Sequence, residues 1–197
     1  MEAQVMENTN TSAKGIKDKA VKMLLWIGLV SIGMMFAGLT SGYIVRRGSG
    51  TWLLFQIPFP FYISTAIILI SSITMNMAMQ AAKKGVSSGI SRAILFTWVL
   101  GVAFGVCQFM GYKALVDAKV FLVGTNSNAS GSYFYILSLL HLCHIVGGLV
   151  ALSIAFVKSV KRKYTTESYL GVKLCATYWH FLDGLWVYLF VFMLLYR

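Results

Sequence analysis

Acidic residues are scarce in this sequence of 197 residues: Asp and Glu together number 6, against 17 Lys and Arg. All charged residues make up 12% of the chain, about half of what a soluble globular domain usually carries. Hydrophobic residues make up 58%, and the mean hydropathy is +0.74. The chain therefore lacks the polar surface of a soluble domain, and we expect it to lie in a bilayer.

Cysteine and histidine are also scarce, with 3 residues of each. Cys107, Cys143 and Cys175 are far apart in the sequence, so we expect neither a disulfide nor a thiolate metal site. Three histidines are too few for a membrane hydroxylase or desaturase. The sequence also has no glycine-rich phosphate loop, no Ser or Cys beside a plausible base and no carboxylate pair. It offers no complete active site, and we expect a non-catalytic chain.

Long apolar runs dominate what remains. A bilayer core of about 30 Å needs roughly 20 apolar residues of helix, and five segments qualify. Pro58 and Pro60 stand where the second segment begins, a position that tolerates proline. The sequence thus predicts an all-α polytopic bundle over residues 22–197, preceded by a polar and flexible N-terminal tail, residues 1–21. The predicted spans are residues 22–45, 58–82, 92–116, 133–157 and 175–196.

The basic residues predict how the chain is oriented, because cytoplasmic loops are enriched in Lys and Arg. When the predicted connections alternate between sides, 12 basic residues fall on the side of the N-terminus and 5 on the other. We therefore expect a cytoplasmic N-terminus and an outside C-terminus. The net charge of +11 is explained by this distribution, so nucleic acid is not an expected partner.

Small and hydroxylated residues within the spans predict close helix packing, since lipid gives helices no hydrophobic reason to associate. Gly101 and Gly105 form a GxxxG pair in the third span, and Gly147 and Gly148 are adjacent in the fourth. Paired hydroxyls lie in the second span at Ser64-Thr65 and Ser71-Ser72. The tryptophans fall mainly toward the span ends, which is typical of an interfacial aromatic belt: Trp26, Trp52, Trp98, Trp179 and Trp186.

Four ionisable residues within the spans need an explanation, because such groups are costly in hydrocarbon. His141 and His144 share one face of the fourth span, and His180 and Asp183 share one face of the fifth. One interpretation is a metal or proton-relay site, although at ~1.5 Å per residue four ligands at one depth are not expected. A second is a hydrogen-bonded lock between the two helices, with His144 meeting Asp183. A third is a polar surface that contacts a neighbouring subunit or a lipid head group.

Two motifs resemble those of heme-copper oxidase subunit III. The run YWHFLD at residues 178–183, followed by Trp186, is similar to the family's YWHFxD…W signature. The run GSYF at residues 131–134, followed by HLCHIVGG at residues 141–148, is similar to its GSxFF…HGxHVxxG signature. The chain resembles the short, five-helix bacterial form of this family, which implies a multi-pass protein of the bacterial inner membrane.

The resemblance implies a chain without heme, copper or other cofactor of its own. Its expected partners are oxidase subunit I, to which it would bind, subunit II and other respiratory subunits, which carry the heme and copper. It would stabilise the complex, support sustained proton uptake and hold phospholipid, while the complex reduces oxygen to water. Trp179 and the four ionisable residues would then make structural or lipid contacts.

Two positions depart from the family pattern. Ile32 and Gly111 stand where the family usually has membrane glutamates. A proton-relay or carbodiimide-reactive role attached to those glutamates is therefore not transferred to this chain. The sequence does not separate cytochrome c from quinol as electron donor, so quinol oxidase subunit III and a nitric oxide reductase accessory subunit remain alternatives. A free-standing metalloenzyme that uses His141, His144, His180 and Asp183 is a further alternative.

Overall fold

The computed structural model describes residues 2–48, 56–120, 122, 128–161 and 169–196, with side chains described from residue 15 onward. This part of the chain folds into five α-helices and contains no strand. Each helix is long and apolar enough to cross a membrane. The predicted all-α fold with five transmembrane helices is thereby confirmed. The helices are α1 (Glu2–Arg47), α2 (Phe59–Lys83), α3 (Ser87–Asp117), α4 (Ala129–Val160) and α5 (Leu170–Tyr196).

The first helix differs most from its predicted bounds. We expected a flexible tail up to residue 21, whereas α1 is helical from Glu2 onward. No proline lies within its 46 residues to interrupt the helix. A membrane span is already a formed helix, so extending it adds residues without a new nucleation step. The polar segment is therefore continuous with the first span.

The ends of the helices follow from local sequence. Pro58 is extended (φ −60°, ψ 147°) and precedes α2, whose first turn contains Pro60. Asn128 caps α4 by accepting a hydrogen bond of 3.2 Å from the backbone N–H of Ser130. Gly85, at φ 71°, makes the tight turn between α2 and α3, a conformation that glycine adopts without steric cost.

Four helices close into a ring, and the fifth lies outside it. Helix α2 packs on α3, α3 on α4, α4 on α5, and α5 returns to α2, whereas α1 packs only on α4 and α5. Helix α5 therefore contacts three others and is the most buried of the five, and α1 is the least buried.

Two of the predicted packing glycines hold an aromatic ring in the core. A Cβ at Gly101 of α3 would lie 2.7 Å from the Trp179 ring of α5, and one at Gly148 of α4 would lie 3.1 Å from it. The indole is therefore enclosed between two helix backbones. Gly105 and Gly147 are less confined, since a Cβ there would lie 3.8 Å from Leu142 and 3.6 Å from Tyr178 respectively.

Candidate functional site

The two tryptophans of the C-terminal motif point into the bundle. Trp179 and Trp186 are both fully buried, so the interfacial belt predicted from their positions is wrong for them. The Trp179 indole N–H donates to Ser71 Oγ at 3.0 Å, and the Trp186 N–H donates to Thr65 Oγ1 at 3.0 Å. Because α2 supplies a hydroxyl to each indole, neither ring needs the polar membrane interface.

His180 and Asp183 also face α2. A hydrogen bond of 2.7 Å joins His180 Nδ1 to Ser72 Oγ, and the Asp183 carboxyl lies beside the same serine. Asp183 is only 3% exposed. Both of its carboxyl oxygens are enclosed without a hydrogen-bond partner among the residues that the structure describes.

His141 lies at the centre of an aromatic cluster. Its ring centroid is 5.1 Å from that of Trp186, 6.0 Å from Phe104 and 6.4 Å from Phe36. The side chain is fully buried, and neither ring nitrogen has a hydrogen-bond partner within the described part of the chain. His141 thus joins α4 to α1, α3 and α5 through ring contacts.

His144 is satisfied within its own helix. Its Nδ1–H donates to the Leu140 carbonyl at 2.7 Å, and its ring lies 5.7 Å from that of Phe36 on α1. The backbone carbonyl of His144 accepts a hydrogen bond of 3.2 Å from the Tyr178 hydroxyl of α5. The side chain of His144 therefore packs toward α1, and its backbone bonds to α5.

The structure does not bring the four ionisable residues together. No hydrogen bond between His144 and Asp183 occurs among the described residues; the Tyr178 hydroxyl and the Trp186 ring join α5 to α4 instead. The physical reason is that α5 lies between α2 and α4, and the face with His180 and Asp183 is turned toward α2. Within the described ranges, no three His, Cys, Asp or Glu side chains are placed to hold a metal ion.

The hydroxyl groups of α2 are the contacts that sequence reasoning missed. Besides the bonds to α5, Ser64 Oγ accepts from Gln108 Nε2 of α3 at 3.0 Å, and Thr74 and Thr97 share a bond of 2.7 Å. The signal was present, because Ser64-Thr65 and Ser71-Ser72 are seven residues apart and recur on one helix face. Their partners could not be read from the sequence, since the bonded residues are 23 to 121 positions away.

The two positions without the family's glutamate are filled by apolar packing. A Cβ at Gly111 would lie 2.5 Å from the Phe61 ring, which occupies the space that a side chain there would need. Ile32 is half-buried against the core. At Gly111 this packing leaves no room for a carboxylate side chain.

Comparison with known proteins agrees with the motifs. The family model of cytochrome c oxidase subunit III matches residues 50–197, which include α2 to α5 and both motifs. The chain belongs to the cytochrome c oxidase subunit III family. Membership places it among the membrane subunits of respiratory heme-copper oxidases.

Relatives from bacteria match over nearly their whole length. Cytochrome c oxidase subunit 3 of Corynebacterium diphtheriae is 32% identical, with 92% of this chain and 97% of the relative covered. The probable subunit 3 of Nocardia farcinica is also 32% identical, with 87% and 84% covered. The Anopheles gambiae subunit 3 is 31% identical, but only 49% of that longer protein is covered. The chain is thus similar in extent to the bacterial subunits.

Proposed function

We propose that this chain is the non-catalytic subunit III of an aa3-type cytochrome c oxidase, with heme and copper in partner subunits that reduce oxygen to water. It binds subunit I, together with subunit II and further respiratory subunits, and stabilises the complex. One observation carries this proposal: four polar side chains of the two motifs are buried between packed helices, namely His141, Trp179, Asp183 and Trp186. Groups buried in this way hold helices together and are not accessible to a substrate.

A contribution to sustained proton uptake is indirect in this proposal. The two positions at which the family has membrane glutamates are Ile32 and Gly111 here, and Phe61 occupies the space beside Gly111. The chain therefore acts on proton uptake by keeping the catalytic subunit in its working conformation. The proposed orientation, with a cytoplasmic N-terminus, rests on the distribution of Lys and Arg.

A groove between α1, α4 and α5 supports the proposed lipid contact. It encloses about 400 Å³, and Gly147, Ala151 and Leu174 contribute to its mostly apolar lining. Lys158, in the last turn of α4, lies at its charged end. An apolar groove ending in a cation matches a phospholipid with an anionic head group.

The lipid proposal predicts that Lys158→Gln lowers the retention of phosphatidylglycerol, because one head-group cation is removed. The expected loss of affinity is roughly fivefold for one surface lysine. Native mass spectrometry of the purified complex in phosphatidylglycerol nanodiscs measures it. Lys83→Gln is the matched control, since Lys83 is an exposed lysine in the last turn of α2 and does not line the groove. Equal retention in both variants would contradict the assignment.

The subunit proposal is tested by isolating the chain from its native membrane in mild detergent by an affinity tag on its N-terminus. We expect it to elute in a larger complex whose optical spectrum contains heme a and whose metal content includes copper. Dissociating the complex should leave the metals with the partner chains. A chain that elutes alone, or one that keeps stoichiometric metal after separation, would refute the proposal.

A further inference from the structure

The outward face of α5 lies at the floor of a groove. Lys173, Thr177, His180 and Gly184 are spaced three or four residues apart, so they share one helix face, and each is exposed or half-exposed. Helices α1 and α2 both pack on α5, but in the described part of the chain they do not contact each other. They therefore form the two walls of this groove, which we call the α5 groove.

Polar groups face the membrane in the α5 groove. His180 is half-exposed, and its bond to Ser72 is the only hydrogen bond that the described residues give its ring. On α2, Asn76 follows Ser72 by four residues, lies on the same face and is exposed. Its amide has no hydrogen bond among the described residues. The imidazole of α5 and the amide of α2 are thus both accessible from outside the bundle.

The depth of His180 and Asn76 in the membrane decides what can lie beside them. The predicted fifth span begins at residue 175, so His180 lies five positions inside it, roughly 7.5 Å along the helix at about 1.5 Å per residue. His180 is therefore inside a bilayer core of about 30 Å, nearer to one edge than to the middle. Water is absent there, and hydrocarbon cannot satisfy an amide or imidazole N–H. A lipid tail is therefore a poor neighbour for this face.

The opposite side of the bundle has the character of a lipid-facing surface. Helices α3 and α4 expose long apolar side chains along their outward faces: Phe96, Val99, Val106 and Phe109 on α3, and Ile136, Leu139, Val146 and Val150 on α4. The two sides differ in chemistry, because the α5 groove presents His180 and Asn76 where α3 and α4 present long apolar side chains.

The walls and floor of the α5 groove also leave room for another helix backbone to come close. A Cβ at Gly184 would meet no atom within 4 Å, and the same is true of Gly33 on α1. Gly33 and Ala37 share a face with Thr40, whose hydroxyl lies 3.0 Å from the Tyr188 hydroxyl of α5. Small residues thus line both α5 and the adjacent wall of α1, as in membrane interfaces where helix backbones come close.

We propose that the α5 groove receives a transmembrane helix of a neighbouring oxidase subunit, one that presents a hydrogen-bonding side chain to His180 and Asn76. The inference rests on the proposed function and adds which face of the bundle carries the partner. Ser72 is bonded to Nδ1 of the imidazole, so Nε2 is the ring nitrogen left to bond to the docked helix. The faces of α3 and α4 remain in lipid.

The test compares two matched substitutions in the full complex. Gly184→Leu adds bulk inside the α5 groove, and Gly38→Leu adds the same bulk on α1 at a position that is equally open. With wild-type partners present, we expect Gly184→Leu to lower the heme a that co-purifies with the tagged chain by at least about tenfold. Gly38→Leu should leave it unchanged. His180→Ala should also lower it, by a smaller factor.

A second measurement covers the case in which Gly184→Leu fails to accumulate in the membrane. A photoreactive residue at Thr177 should cross-link to an oxidase subunit in the intact complex, and one at Val106 should cross-link to lipid. Full retention of heme a by Gly184→Leu, or subunit cross-links at Val106 with only lipid at Thr177, would overturn the inference. If the wild-type chain co-purifies with no heme or copper at all, the proposed function fails instead.

Discussion

Replacement of Trp179 by alanine is expected to destabilise the chain by about 3–5 kcal/mol, the range for removing a large aromatic side chain from a packed core. The ring is fully buried, it fills the space between Gly101 and Gly148, and its N–H bonds to Ser71. The two glycine backbones cannot move together easily to close the cavity. Thermal unfolding of the purified chain in detergent, followed by near-ultraviolet circular dichroism, measures the loss.

Trp98→Ala is the matched control for this prediction. Its indole is 37% exposed and donates to Ser153 Oγ at 3.1 Å on the outside of the bundle. We expect a loss of about 1 kcal/mol, close to the value of one hydrogen bond with little cavity. Trp179→Phe should fall between the two, because it keeps ring volume but leaves Ser71 without its donor. Similar unfolding temperatures for all three variants would show that Trp179 is not a central packing contact.

Gly111→Ala is the second substitution with a large expected effect, about 1–3 kcal/mol from overpacking. The added methyl group would lie 2.5 Å from the Phe61 ring. That ring also packs edge-to-face against Phe134, with centroids 5.1 Å apart, which limits its freedom to move. Gly105→Ala on the same helix is the control, because its Cβ would lie 3.8 Å from the nearest side chain.

A double-mutant cycle isolates the contact between these positions. Phe61→Leu removes the ring atoms that block Gly111, so Gly111→Ala should cost less in that background than in the wild-type chain. We expect a favourable coupling of about 0.5–3 kcal/mol, the range for residues in direct contact, measured by the same unfolding experiment. Additive effects of the two substitutions would mean that the Phe61 ring does not fill the space beside Gly111, where the family has a glutamate.

Much of the fold could be predicted because a bilayer constrains a chain strongly. A span must be apolar over about 20 residues, and the predicted spans at 58–82, 92–116 and 133–157 lie within α2, α3 and α4 or one residue outside them, although α3 and α4 begin five and four residues earlier. The N-terminal bound of α1 could not be predicted in this way. Hydropathy reports where the membrane ends, whereas the helix continues to Glu2, because lengthening a formed helix needs no new nucleation.

The candidate site was predicted only in part. The pairing of His180 with Asp183 and of His141 with His144 on single helix faces follows from their spacing of three residues. The sequence did not reveal that His180 bonds to Ser72, 108 positions earlier. Neighbouring spans in a sequence are the natural first candidates for contact, yet α5 contacts α1, α2 and α4 alike.

The sequence by itself determined that this chain is a five-span membrane protein of the subunit III type, since apolar length and local motifs are properties of contiguous residues. Only the tertiary structure decided the partner of each polar group: α2 hydroxyls for Trp179, His180 and Trp186, and an aromatic cluster for His141. It also decided that Phe61 fills the space beside Gly111. These pairings depend on how each helix is rotated in the bundle, and that rotation results from packing all five helices together.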